Sequence, residues 1–142
     1  MVCVLAYILY KVVTKLTAPK DISENILDAS SNEINVLSQQ GETASYASSQ
    51  YITWADKLQE AMSGLGTDEE SIKDVFHFMQ NKTDVLKLIK AFGIRDYTDD
   101  KLLIWNVKPM NLNEWISAEL DETEINDLIN KQLSAKQINY QF

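Results

Sequence analysis

Between residues 50 and 133 the sequence repeats one device five times: a helix start signal, an apolar stripe at three- and four-residue spacing, and a stop. That pattern leaves room for little except short helices. Residues 50–62 place Ile52, Ala55, Leu58 and Met62 on one face before Ser63 and Gly64 end the run. Thr67, followed by Asp68, Glu69 and Glu70, reads as a capping box opening a second stripe of Ile72, Val75, Phe76 and Met79. Asn81 or Thr83 starts the third helix, in which Val85, Leu86, Leu88, Ile89 and Phe92 face inward, and Gly93 supplies a left-handed stop. Asn111 with Glu114 and Asp121 with Glu124 start the last two. Their stripes are Leu112, Trp115, Ile116 and Leu120, then Ile125, Leu128, Ile129 and Leu133. The one long connection, 94–110, is expected to be an irregular excursion closed by Pro109. Its Leu102, Leu103, Ile104 and Trp105 are too apolar for a solvated loop.

Upstream the pattern is different. Residues 17–50 are rich in Ser, Asn, Gln and Ala and carry apolar residues only in small groups, which predicts an extended linker or strap. Residues 1–16 begin MVCVLAYILY and remain apolar to Leu16, about 24 Å of helix against a hydrocarbon core of about 30 Å. The lysines follow this run instead of preceding it, and Thr17-Ala18-Pro19 is a poor cleavage site, so the segment is expected to be retained. Val4, Leu5, Ile8, Leu9 and Val12 form the expected anchor. Two placements stay open: a transmembrane helix whose Lys11 and Lys15 snorkel to headgroups, or a helix buried in the hydrophobic groove of an assembly. The expected architecture is thus all-α, with an anchor over 1–16, a linker over 17–50 and a five-helix domain over 51–142.

Charge and composition remove several function classes. The chain has 13 basic and 21 acidic residues and a net charge of −8, which argues against a nucleic-acid surface. Residues 1–20 hold three lysines and no acid, so the remainder is more acidic still. One cysteine, Cys3, allows no internal disulfide, and one histidine, His77, allows no histidine-rich zinc site. His77 reads as a surface or core histidine before a general base. Asp99, Asp100, Asp121 and Glu122 read as a solvated face before a glycosidase pair. There is no phosphate loop and no nucleophile motif.

The segment MSGLGTDEESIKDVF, Met62 to Phe76, resembles the start of an annexin repeat, in which a G-x-G-T loop joins two helices. Phe92-Gly93-Ile94-Arg95-Asp96 is similar to the F-G-R-D that ends the third helix of that repeat, with one residue inserted, and Ala118-Glu119-Leu120 to the S-E-L of its fourth. The resemblance covers residues 50–133 and implies a five-helix annexin-like domain, present once where annexins carry four repeats. It also implies a weak calcium site made by the carbonyls of Met62, Gly64 and Gly66 and the carboxylate of Glu119. The competing reading makes the glycines turn residues and Thr67 a cap. Glu119 lies farther along the chain than the family spacing, because the 94–110 connection is long. Leu102, Leu103 and Trp105 in that connection are expected to cover the face left by the missing repeats, or to bind a partner protein. Single-repeat modules of this kind resemble parts of bacteriophage virions and bacterial envelope proteins.

The leading expectation is a non-enzymatic structural or adaptor protein, associated with a membrane or assembly in a virion or cell envelope. Its partners would be other structural proteins or copies of itself, with no cofactor beyond a weak calcium ion. The alternatives are a calcium-dependent membrane-binding module and an enzyme acting on cell-wall glycans.

Overall fold

A computed structural model describes residues 22–98 and 107–142. The anchor residues Val4, Leu5, Ile8, Leu9 and Val12, and Leu102, Leu103 and Trp105, lie outside them. Six helices and a two-stranded ribbon follow in order: α1 Ile22–Gln39, α2 Ser48–Met62, α3 Glu69–His77, α4 Lys82–Phe92, β1 Arg95–Thr98, β2 Val107–Met110, α5 Leu112–Glu119 and α6. The last, α6, runs from Glu122–Ile125 through a π-turn at Asn126–Asn130 into Lys131–Ala135. The protein is mostly helical, as the stripes require. Among the described residues no helix is long and apolar enough to cross a membrane.

The core is built by the expected stripes. Ile72, Val75 and Phe76 of α3 with Met79 just after it, Leu88 and Ile89 of α4, Leu112 and Ile116 of α5, and Ile129 and Leu133 of α6 are all buried. The stripe of α2 is rotated from expectation: Tyr51, Trp54, Ala55, Leu58, Ala61 and Met62 face inward, while Ile52 is 52% exposed. Tyr51 and Trp54 cover more area than one isoleucine, so burying the aromatic pair turns Ile52 outward.

Residues 22–39 correct the expected linker, because they form a helix that packs on α4. Ile26 and Leu27 pack against the core and Ile34 and Leu37 are half-buried on the same face; the central residue of that face, Ser30, is small and buried. A serine at the centre of the contact hides the period from an apolar count while permitting close approach. Its hydroxyl-bearing neighbour Ser31 donates back to the Leu27 carbonyl at 2.8 Å. Gly41, at φ 88°, ends α1, and the chain returns with Glu42 N–H donating to the Leu37 carbonyl.

The 94–110 connection is likewise corrected at its two ends. Arg95–Thr98 and Val107–Met110 pair antiparallel, Arg95 opposite Met110 and Thr98 opposite Val107. Pro109 sits inside β2 instead of separating the connection from α5. A two-stranded ribbon tolerates it, since each strand has an edge that needs no donor. The ribbon is fixed at its base by Arg95, whose guanidinium pairs with Asp56 at 2.9 Å, donates to Gln59, and stacks over the Phe92 ring at 4.7 Å.

Helix starts follow the sequence with one exception. Asn81 caps α4 through Asp84 N–H, and Asn111–Glu114 and Asp121–Glu124 form full capping boxes. In α3 the cap is Asp68, whose carboxylate accepts from Ser71 N–H at 3.0 Å, and not Thr67. That hydrogen bond holds the Asp68 carboxyl below the usual range.

Candidate functional site

The loop from Ser63 to Asp68 reverses the chain between α2 and α3. Gly64 and Gly66 have φ values of 111° and 90°, a region that L residues rarely adopt, so both positions require glycine. Nothing lies within 4 Å of where a Cβ would stand at either one, so the requirement is one of backbone conformation and not of space. The loop is exposed, and Leu65 at its tip is 88% exposed. Its far end is held by Asp68 N–H donating to the Ala61 carbonyl at 2.8 Å.

Glu119, distant in sequence, reaches this loop. The Thr67 hydroxyl donates to Glu119 Oε2 at 2.9 Å and the Tyr97 hydroxyl to Oε1 at 2.9 Å. Thr67, expected as a helix cap, is instead the bridge between loop and carboxylate. The four residues singled out for calcium therefore fall together at one end of the molecule: Gly64 and Gly66 in the loop, Met62 at the end of α2, and Glu119 at the end of α5. Backbone carbonyls at glycines and a carboxylate are donor types that a hard cation takes, and Glu119 is tied to the loop through Thr67. A cation taking Glu119 oxygens would compete with the Thr67 and Tyr97 hydroxyls. Among the described residues no three His, Cys, Asp or Glu side chains gather to hold a metal, so backbone carbonyls would supply most of the ligands.

Sequence reasoning missed a buried carboxylate that ties three parts of the fold together. Asp84 is wholly buried, accepts from Ser45 N–H at 2.8 Å and Tyr51 Oη at 2.6 Å on Oδ1, and from Gln80 N–H at 2.9 Å on Oδ2. Burial, and after it the hydrogen bond and charge of Asp84, raise the Tyr51 phenol well above its ordinary pKa. Glu42 adds a parallel tie, accepting from both Thr83 N–H and the Thr83 hydroxyl at 2.7 Å. The signal was present as an acid three residues after the Asn81 cap, where a helix amide field favours negative charge.

His77 is exposed, edge-on to Phe78. Lys136 donates to the carbonyls of His77 and Met79 at the end of α3, and burial lowers its pKa. Asp121 caps α6, while Asp99 and Asp100 lie outside the described residues. Comparison with protein-family models, curated proteins and solved structures finds no match.

Proposed function

We propose that this chain is a non-enzymatic structural or adaptor protein, held by its leading apolar segment in a membrane or in a hydrophobic groove of a larger assembly such as a virion or cell envelope. The observation that carries the reading is the division of the sequence: an apolar stretch with three lysines and no acid over residues 1–20, ahead of a strongly acidic remainder. An acidic body resists non-specific association with anionic surfaces, whereas an apolar segment of this length gains about 1.5–3 kcal/mol for each large side chain it buries. The uses of the buried polar groups agree with a scaffold. Asp84, Thr83 and Asn111 each serve a helix start or a loop tie.

Leu5→Asp combined with Ile8→Asp tests this in the full chain. Two charges at the centre of an apolar helix cost about 2.5–3.5 kcal/mol each on insertion scales. The double variant should leave the membrane or particle fraction and appear in the supernatant; unchanged co-sedimentation would place the attachment elsewhere. In the parent, extraction with detergent separates the two placements, since a bilayer helix leaves with lipid and a groove-bound helix stays with the assembly.

A second reading, a calcium-dependent membrane-binding module of annexin-like kind, is favoured by one contact, Thr67 to Glu119, which joins the loop to the carboxylate. With a single charged ligand, half-saturation belongs in the range of about 0.1–1 mM. Calcium at ten times that level should raise stability by about 1.4 kcal/mol in the parent and by nothing in Glu119→Gln. A thermal scan with no calcium response in the parent removes this reading.

A further inference from the structure

The two ends of α2 carry surfaces that complement each other. At its carboxyl end the loop projects Leu65, 88% exposed, with the exposed acids Asp68, Glu69 and Glu70 immediately behind it. At its amino end lies a groove of about 220 Å³ lined by Ser48, Tyr51, Ile52, Lys87, Lys90 and Ala91. The half-exposed Ile52 and Ala91 give the groove apolar surface, and two of its six lining residues are lysines. Among the described residues neither Lys87 nor Lys90 makes an ion pair, in contrast to Lys57, Lys82 and Lys131. The first turn of α2 adds to the positive field, because Ala47 offers no side-chain cap and the turn contains no acid.

One end is thus an apolar knob with negative charge behind it, and the other an apolar hole with positive charge around it. Helix α2 has 15 residues, about 22 Å of helix. A loop at one end cannot fill a groove at the other end of the same rigid helix, so the fit is available only between molecules. The geometry points to head-to-tail association of this chain with itself, the Leu65 loop of one copy seated between α2 and α4 of the next. A leucine side chain suits a hole of this volume, and Glu69 and Glu70 would meet Lys87 and Lys90. Such a contact is heterologous: it leaves one knob and one hole free on every pair, and so propagates into a ring or a filament. The inference rests on the assembly reading above and gives that assembly its repeating contact.

Site-directed cross-linking in the full chain tests it, in a Cys3→Ser background and in mild detergent so that the apolar segments do not dominate. One variant carries Leu65→Cys and the other Ile52→Cys. Mixed and oxidised, they should form the 65-to-52 disulfide faster than either variant forms a dimer alone. Lys87→Glu with Lys90→Glu in the Ile52→Cys partner should reduce that yield about tenfold, since reversal turns two attractive pairs into repulsive ones. Glu69→Lys with Glu70→Lys in the Leu65→Cys partner should restore it. Equal yields from all pairings, or a charge reversal without rescue, would overturn the contact. The anchor test above reads a different segment, so attachment to the membrane or particle can stand while this contact fails, and the reverse.

Discussion

Replacing Asp84 with alanine should destabilise the protein by on the order of 4 kcal/mol, which for a domain of this size lowers the melting temperature by about 15 °C. The magnitude follows from what is stranded. Ser45 N–H, Gln80 N–H and the Tyr51 hydroxyl lose their acceptor together, in a place where Asp84 itself has no exposed surface. The buried Tyr51 hydroxyl without a partner costs about 1–3 kcal/mol, toward the upper part of that range for a bond to an ionised acceptor, and the two amides, which belong to exposed residues, add about 0.5–1.5 kcal/mol each. Tyr51→Phe removes one of the three and leaves the carboxylate satisfied by two backbone amides, so it should cost only about 1–1.5 kcal/mol. Asp84→Asn should fall between them, because its amide nitrogen turns a donor toward a group that donates. Equal losses in Asp84→Ala and Tyr51→Phe, measured by urea unfolding, would show that the carboxylate does not organise this corner. The raised phenol adds a pH signature. Above about pH 10 the unfolded tyrosine ionises while the folded one keeps its proton, so the folded state binds more protons and stability falls as pH rises. Tyr51→Phe should remove that part of the alkaline decline.

The same corner shows why some of this molecule was legible in its sequence and some was not. Helices α3 to α6 could be read because each closes a local argument: cap, stripe and stop lie within a dozen or so residues, and those interactions are short in sequence, whereas α2 has a stop but no side-chain cap and turns a different face inward. The Asn111 and Asp121 boxes form with both of their bonds, as spacing alone requires. Helix α1 could not be read the same way. Its stability comes from lying on α4, its buried centre is Ser30, and Glu33 reaches across to Lys82. No count of apolar residues within 22–39 contains that information. Thr67 illustrates the same limit at the candidate site. As a local signal it is a plausible cap, but Asp68 serves equally well, and the competing bond from Thr67 to Glu119 spans 52 positions. The ribbon has the same origin. Its strands are four residues each, below the length at which alternation is visible, and their pairing depends on Arg95 and Tyr97 meeting α2, α4 and α5.

Trp115→Ala should produce a loss comparable to that at Asp84, about 3–5 kcal/mol, by a different mechanism. Trp115 is 3% exposed and stands between two rings, with centroids 5.7 Å from Phe92 and 5.0 Å from Tyr97, both edge-to-face. Its indole N–H also donates to the Arg95 carbonyl at 3.4 Å. It therefore fastens α5 to the end of α4 and to the first strand of the ribbon, and its removal opens a cavity where three elements meet. Trp115→Phe keeps a ring in contact with both neighbours and loses only a long hydrogen bond and part of the area, so it should cost about 1–2 kcal/mol. The consequence for the candidate site is indirect and separable. Tyr97 is held against Trp115 while its hydroxyl reaches Glu119, and Glu119 in turn receives Thr67. With alanine at 115 the Tyr97 ring loses its wall, and its hydroxyl should cease to hold the carboxylate oriented toward the loop. Limited proteolysis should then show faster cutting in both the 94–110 connection and the 63–68 loop, although only the first touches residue 115. Faster cutting in the connection alone would mean that Glu119 holds the loop without help from the ribbon.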